Sequence, residues 1–201
     1  DAQVTVLSVG DENVEDTIKE AMAAGADQCY LVLDDELKNA ESSVTAVILA
    51  AALQQMEDKP DLILFGEGSG DNYSGQVGSR VAAILDLPQV VFASSIVVED
   101  GRATITRSLE NSEEVVEVSL PAVVTVMADI NEPRIPSVSQ ILKAGRKPKE
   151  IVEPDELDVS IEAGKIDTIS NLAPETERKR IVVKSVDELI QSLSSEALIG
   201  R

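Results

Sequence analysis

A glycine-rich segment in the first half of the chain has the residue types that bind phosphate. Residues 62–65, Leu-Ile-Leu-Phe, predict a buried strand, and apolar residues recur at helical spacing from Val77 onward. A turn that leads from a strand into a helix presents unpaired backbone N–H groups, and the helix dipole adds positive potential at the same place. The intervening glycines let an anion approach the backbone closely. The segment is neither GxGxxG nor a P-loop, so a tight turn without a ligand is the alternative.

The turn after the first predicted strand, residues 9–11, is expected at the same edge of a parallel sheet. Ligands of doubly wound folds bind beyond the carboxyl ends of the strands, so the two turns predict one nucleotide-binding crevice. We expect backbone N–H groups of residues 66–77 to bind the phosphate, assisted by the side chains of Ser74 and Gln76. The candidate nucleotide-binding residues are Val9, Gly66, Glu67, Gly68, Ser69, Gly70, Asp71, Asn72, Tyr73, Ser74, Gly75, Gln76 and Val77.

Composition excludes several other kinds of chemistry. The chain has 37 acidic and 17 basic residues, a net charge of −20 and no histidine. Nucleic acid would be repelled, and histidine-dependent catalysis and histidine-ligated metals are excluded. Cys29 lies in an apolar run and is expected to be a buried thiol rather than a nucleophile. The acidic residues Asp34, Asp35 and Glu36 could coordinate Mg²⁺, but a solvated loop is expected, so we identify no metal site.

Apolar periodicity predicts an α/β fold with a doubly wound, mostly parallel sheet. Strands at residues 4–9, 29–33 and 62–65 alternate with helical patterns, an order typical of parallel sheets with right-handed crossovers. Only 2% of the residues are aromatic, and such an aliphatic core fits strands that are buried on both faces. Beyond Pro88, short extended runs with a hairpin turn at Asp100-Gly101 predict an antiparallel extension.

Local signals place the helix ends and suggest two domains. The expected N-caps are Asn13, Ser42 or Ser43, Ser137 in a capping box with Gln140, and Ser185 in a capping box with Glu188. Residues 1–150 are expected to form a nucleotide-binding α/β domain. Residues 151–201 have little periodicity before their last helix, and we expect an extended arm whose helix packs on a partner subunit.

Five ordered blocks of the chain resemble the β (small) subunit of electron transfer flavoprotein. They are residues 17–27, 66–78, 86–94, 120–125 and 131–134 leading to Lys143-Ala144, in the family's order and with matching gaps. The resemblance runs nearly end to end. It implies an electron carrier rather than an enzyme, paired with a larger α subunit that holds most of the redox-active FAD. The β subunit then binds AMP, or a second FAD in electron-bifurcating members.

The resemblance also implies a loop, at about residues 126–148, that contacts flavin dehydrogenases such as acyl-CoA dehydrogenases. The family's exposed apolar anchor, usually leucine, falls at Val138. Basic residues cluster nearby, which suggests a docking surface for an acidic partner, with a merely solvated face as the alternative. The candidate partner-binding residues are Asn131, Glu132, Arg134, Val138, Ile141, Lys143, Arg146 and Lys147.

Three departures from the family pattern leave alternatives open. The family's first strand has no counterpart in this sequence. Val77 replaces a threonine of the AMP-binding members, so AMP and a second FAD both stay open. Val138 is smaller than leucine, so the dehydrogenase stays open too.

Two other classes of function compete with the electron carrier, namely a stand-alone adenine-nucleotide-binding or hydrolysing domain and a purely structural module. No apolar run reaches the ~18 residues of a membrane span, and no secretory signal is visible. We therefore expect a cytoplasmic protein.

Overall fold

The computed structural model describes residues 2–38, 40–69, 73–157, 159, 169–170, 172–173, 175, 180–196 and 198–199. The chain divides into two compact units, Asp1–Ile166 and Asp167–Arg201. This division falls later than the boundary after residue 150 that the sequence suggested. A strand and a 3-10 turn that follow residue 148 belong to the first unit.

The described residues form strands and helices in the alternating order expected of an α/β fold. They are β1 Thr5–Gly10, α1 Val14–Ala24, β2 Gln28–Leu33, α2 Ser42–Gln55, β3 Leu62–Gly66, α3 Val77–Leu85, β4 Gln89–Glu99, β5 Arg102–Ser108, β6 Glu113–Ser119, β7 Ala122–Val126, α4 Val138–Ala144, β8 Lys149–Val152 and α5 Val186–Ser195. Two 3-10 turns lie at Asp35–Leu37 and Pro154–Leu157.

The strands pair in two sheets, one of which is mixed. The first sheet has the order β1-β2-β8, and all its pairs are parallel. The second has the order β3-β7-β4-β5-β6, in which β3, β7 and β4 are parallel and the β4-β5 and β5-β6 pairs are antiparallel. The α/β class with an antiparallel extension is therefore confirmed. The parallel strands lie in two separate sheets rather than in one, because β3 pairs with β7 of the second sheet while β1, β2 and β8 form the first.

Strand β2 shows why this sheet is wound on both sides. Consecutive side chains of a strand point to opposite faces. Cys29 and Leu31 pack with α1 and with Ala144 of α4, whereas Tyr30 and Val32 pack with α2. Cys29 is buried as expected, and this burial raises the pKa of its thiol.

The end of α1 at Gly25 and the hairpin turn at Asp100-Gly101 have the backbone geometry that the sequence predicted. Gly25 ends α1 with a φ of 147°, a conformation that residues with a side chain rarely adopt. Asp100 and Gly101 join β4 to β5 with φ values of 49° and 75°. Two positive φ angles in a two-residue loop are those of a type I′ turn, whose twist matches that of the flanking strands.

Two of the N-caps that the sequence predicted do not form with the expected side chains. Asn13 occupies the N-cap position of α1, but the carboxylate of Asp11 accepts hydrogen bonds from its backbone N at 3.1 Å and from Nδ2 at 2.9 Å. Helix α2 begins at Ser42, so the N-cap is Glu41, which makes no side-chain hydrogen bond to the helix. Neither Ser42 nor Ser43 caps it. An aliphatic helix with six buried residues is stabilised mainly by packing rather than by its cap.

The two capping boxes have different outcomes. At the start of α4, Ser137 Oγ accepts a hydrogen bond from the backbone N of Gln140, and Gln140 Oε1 accepts one from the backbone N of Ser137, which completes the capping box. At the start of α5, Ser185 Oγ accepts from the Glu188 backbone N at 3.2 Å, but the Glu188 carboxylate accepts from the backbone N of Lys184. Ser185 is therefore a side-chain cap without the reciprocal bond of a box.

The second unit contains α5, whose apolar side chains are all at least partly exposed to solvent. No residue of this helix is buried, and Val186, Leu189 and Ile190 are 71%, 42% and 49% exposed. Among the described residues, no helix of either unit has the length and apolar character needed to cross a membrane.

Candidate functional site

The glycine-rich turn connects β3 to α3, as the sequence predicted. Immediately after β3, the backbone N of Glu67 donates to the carbonyl of Val126 at the end of β7, at 3.0 Å. The backbone N of Tyr73 donates to the carbonyl of Ser69, also at 3.0 Å. The first of these bonds attaches the start of the turn to β7, and Gly70, Asp71 and Asn72 lie outside the described residues.

The first turn of α3 lacks a side-chain cap. Gln76 occupies the N-cap position, and its side chain makes no capping hydrogen bond to the helix. The first backbone N–H groups of a helix have no partner within the helix, and they lie at the positive end of its dipole. This arrangement can bind an anion, and Ser74 lies two residues before it in the chain, partly buried.

Two glycines have stereochemical reasons for their positions. Gly75 has a φ of +61°, and a Cβ added there would lie 3.1 Å from the carbonyl oxygen of Glu67. A Cβ on Gly78 would lie 3.0 Å from Thr125 Cγ2 and 3.1 Å from the ring of Phe65. The first glycine therefore shapes the turn, and the second lets α3 pack closely against β7 and β3.

A cation that the sequence analysis missed lies beside the turn. Gln76 Oε1 accepts hydrogen bonds from Arg80 Nε at 3.2 Å and from Arg80 Nη2 at 2.7 Å. Arg80 is exposed, in the first turn of α3. The i, i+4 spacing of Gln76 and Arg80 on a predicted helix was the available signal. The side chain of Gln76, expected to contact phosphate, is thus bound to a guanidinium.

An acidic residue begins the turn. The carboxylate of Glu67 is close to the phenol of Tyr73, and repulsion between the two negative charges raises the pKa of Tyr73. A Cβ on Gly68 would meet the Tyr73 ring at 2.9 Å, so the ring lies against this glycine. The turn therefore has a negative charge at its start, on Glu67, and a positive charge just after its end, on Arg80.

Val9 packs against the same cluster of helix side chains as Val77, the residue that follows the turn. Val9 at the end of β1 and Val77 at the start of α3 pack against one cluster of α2 and α3 side chains. The neighbouring residue Gly10 accepts a backbone hydrogen bond from Asp34 at 3.0 Å. Asp34 itself caps a 3-10 turn, because its carboxylate accepts from the backbone N of Glu36 at 2.7 Å. Across the part of the chain that is described, no group of three acidic or cysteine side chains could hold a metal ion.

The second candidate surface, residues 126–148, is called the docking segment. Four of its apolar side chains are exposed, with Ile135 at 94%, Val138 at 75%, Leu142 at 72% and Ile141 at 42%. Among the remaining candidates, Asn131 and Glu132 are exposed, and Asn131 Nδ2 donates to the carbonyl of Glu132 at 3.3 Å. Lys143 and Arg146 are exposed on the same segment. An apolar surface with basic residues beside it is therefore present.

Two basic residues of the docking segment face α1 instead. Lys147 Nζ donates to the carbonyl of Met22 at 2.8 Å and also to the carbonyl of Ala26. A Cβ on Gly25 would lie 3.5 Å from Arg134 Nη1, so this guanidinium lies against the end of α1. Lys147 was expected, with Lys143 and Arg146, to attract an acidic partner, but its ammonium group is bound to carbonyls within the chain.

Comparison with known protein families gives one match that covers most of the chain. Residues 1–157 match the family model described as the electron transfer flavoprotein domain. The match extends from β1 to the 3-10 turn Pro154–Leu157, which packs on α2. It includes both the glycine-rich turn and the docking segment.

Proposed function

Because this chain belongs to the electron transfer flavoprotein family, we propose that it is the family's β (small) subunit, an electron carrier that pairs with a larger α subunit. The observation that carries the proposal is that one family match contains both the glycine-rich turn and the docking segment. The flavin supplies the redox chemistry, so this chain needs no catalytic residue of its own. Its tasks are to bind a nucleotide, to dock a dehydrogenase and to complete the flavin site.

The nucleotide proposal concerns the phosphate of AMP or the ADP half of a second FAD. The residues fit such a group, because Gly75 has a positive φ and the first turn of α3 has no side-chain cap. Backbone N–H groups of residues 66–77, apart from those of Glu67 and Tyr73 that already donate to carbonyls, would bind the phosphate, and Ser74 would donate a hydroxyl hydrogen bond. Arg80 adds a positive charge that can move from Gln76 to the phosphate.

The docking proposal assigns Val138 as the apolar anchor for a flavin dehydrogenase. The side chain is three-quarters exposed, as a residue that must enter a partner's pocket has to be. Lys143 and Arg146 would attract an acidic partner and speed association, since charges at the rim of an interface act mainly on the rate of encounter.

The α subunit is the partner proposed for the second unit. The apolar stripe of α5 has no buried residue, and an amphipathic helix of ten residues is marginal in water without a surface to pack on. Burial of Leu189, Ile190 and Leu193 would supply ~1.5–3 kcal/mol for each side chain that is fully removed from water. Cytoplasmic localisation belongs to the same proposal.

The decisive experiment is to co-express this chain with an electron transfer flavoprotein α subunit. The purified complex should be a heterodimer with a flavin absorbance spectrum, and the ligands released on denaturation should include one FAD plus either AMP or a second FAD. A stand-alone nucleotide-binding domain would bind AMP without the α subunit and would acquire no flavin on mixing. A structural module would release neither ligand.

A further inference from the structure

We propose that Lys147 is a positioning residue, which fixes the docking segment on the carboxyl end of helix α1. The inference rests on the docking role proposed above, but its structural part concerns this chain alone. It separates the basic residues of the segment into two groups. Lys143 and Arg146 remain available to a partner, whereas Lys147 serves the chain itself.

Helix α1 has no basic residue of its own at its carboxyl end, where a cation would be favourable. Its last turn contains no basic residue. The backbone N–H groups of Gly25 and Ala26 both donate to the carbonyl of Ala21, at 3.3 Å each. The next carbonyl, that of Met22, accepts from Lys147 Nζ, 125 residues away in the chain. An ammonium group at this place also compensates the negative end of the helix dipole.

Few contacts orient helix α4 itself. Ala144 is its one buried residue, packed with Ile18, Met22 and Ala23, and Lys147 follows three residues later. The chain after Lys147 is held separately, because the Cys29 backbone N donates to the Pro148 carbonyl at 3.1 Å and Lys149 Nζ pairs with the Glu15 carboxylate of α1 at 2.8 Å. The two hydrogen bonds of Lys147 add a directional restraint at the carboxyl end of α1.

The other side of the docking segment approaches the same helix end. Arg134 Nη1 lies 3.5 Å from the position of a Cβ on Gly25. The exposed anchor Val138 lies between Arg134 and Lys147 in the chain, so contacts with the end of α1 precede and follow it in the sequence.

Hydrogen exchange of backbone amides on the isolated chain tests this inference directly. In Lys147→Met, the amides of Ile141 and Leu142 should exchange roughly 5–30-fold faster, because a local opening of α4 no longer breaks two hydrogen bonds to the ammonium group. Lys147→Arg, which keeps the charge and the donors, should restore most of the protection.

Two matched variants make the result specific. Lys59 Nζ donates to the carbonyls of Leu53 and Met56 at the end of α2, at 3.4 Å and 2.7 Å, so Lys59→Met removes an equivalent interaction away from the docking segment. Lys143→Met removes an exposed charge from α4 itself. Lys59→Met should leave exchange in α4 unchanged, and Lys143→Met, which removes only an exposed charge in the last turn of α4, should change it much less than Lys147→Met. Unchanged protection in Lys147→Met, or an equal loss in Lys143→Met, would overturn the proposal.

A rate measurement distinguishes a residue that positions the docking segment from one that attracts the partner by its charge. The heterodimer with the α subunit is mixed with an acyl-CoA dehydrogenase, and the second-order rate of electron transfer is measured at low and high salt. The defect of Lys143→Met should disappear at high salt, because it is electrostatic. The defect of Lys147→Met should persist, and a defect that disappears would refute the positioning role. If the unmodified complex accepts no electrons, the proposed docking function fails, while the exchange result still decides the role of Lys147.

Discussion

The amide oxygen of Gln76 accepts two hydrogen bonds from the guanidinium of Arg80, one from Nε at 3.2 Å and one from Nη2 at 2.7 Å. Among the described residues, the guanidinium of Arg80 forms no ion pair with a carboxylate. A phosphate bound at the proposed site would replace this neutral acceptor by a charged one. The donor is charged in both cases, so the gain would come from the attraction between two opposite charges.

Arg80→Gln should weaken nucleotide binding without unfolding the chain. Loss of a charged hydrogen bond costs about 1.5–3 kcal/mol, which corresponds to an increase in the AMP dissociation constant of roughly tenfold or more. Calorimetric titration of the heterodimer with AMP measures this. Arg102→Gln is the matched control, since Arg102 is exposed and pairs with Glu117 on the β5-β6 hairpin. Equal affinities in the two variants would exclude Arg80 from the site.

Gly75→Val should remove the bound nucleotide. The substitution places a branched side chain at a φ of +61° and beside the carbonyl of Glu67, so the turn must change shape. Gly101→Val introduces similar backbone strain at a φ of +75° in the β4-β5 hairpin, where an added Cβ meets nothing within 4 Å. Each should lose about 1–2 kcal/mol of stability. Ligand release from the purified heterodimer distinguishes them, and a normal nucleotide content in Gly75→Val contradicts the proposed phosphate site.

Glu67→Gln should lower the pKa of Tyr73. The negative charge of Glu67 opposes ionisation of the phenol and raises its pKa above the ordinary value of about 10. Removal of that charge shifts the ionisation towards lower pH. The chain has two tyrosines, so the ultraviolet absorbance of tyrosinate can be followed for both.

Tyr30 is the internal reference for this titration. Burial raises its pKa first of all, with smaller contributions from Glu150 and Glu156, so Glu67→Gln should leave it unchanged. Because the pKa of Tyr30 is raised in the folded state, its contribution to stability is complete below about pH 10 and is lost as the pH rises through the folded value. An equal shift of both tyrosines in Glu67→Gln would indicate a general structural change.

Val138→Ala should slow electron transfer from a flavin dehydrogenase while the flavin content stays normal. Loss of one anchor side chain costs ~1–2 kcal/mol of binding in a typical interface. Val115→Ala on β6 is the matched control, because Val115 is 71% exposed and lies outside the docking segment. The apparent KM for the heterodimer in the dehydrogenase assay is the measurement. A variant that lost flavin instead would show that Val138 contributes to the subunit fold.

Deletion of residues 167–201 should weaken the heterodimer without damaging the first unit. A cut after Val152 would confound the test, because Leu157 is 3% exposed and packs in the core with Tyr30 and Val32. The part of the expected arm that includes Pro154 and Leu157 thus belongs to the first unit. Sedimentation at nanomolar concentration should show dissociation of the shortened heterodimer, and a complex that stays intact would assign the intersubunit contact elsewhere.

The features that the sequence predicted depend on neighbouring residues or on periodicity. The capping box of Ser137 and Gln140 spans four residues, and the hairpin turn at Asp100 and Gly101 spans two. The turn between β3 and α3 follows from an aliphatic run, glycines and a helical pattern. Such signals are local, so one sequence suffices to recognise them.

The features that escaped prediction depend on distant contacts. β8 has four residues, three of them exposed, and it is a strand because Glu150 and Ile151 pair with Tyr30 and Leu31 of β2. Lys147 resembled its exposed neighbours Lys143 and Arg146, and only the proximity of α1 gives it a different role. No spacing along the chain encodes these contacts.

The hydrogen bond between Glu67 N and the carbonyl of Val126 joins the two proposed sites through the backbone. Glu67 opens the glycine-rich turn, and Val126 is the first residue of the docking segment. Equilibrium coupling between two sites is reciprocal, so nucleotide binding and dehydrogenase binding affect each other equally through any such link. One backbone hydrogen bond contributes about 0.5–1.5 kcal/mol, which limits the coupling that it can transmit to roughly a tenfold change in either affinity. A nucleotide in the proposed site would therefore change dehydrogenase binding only modestly through this one bond.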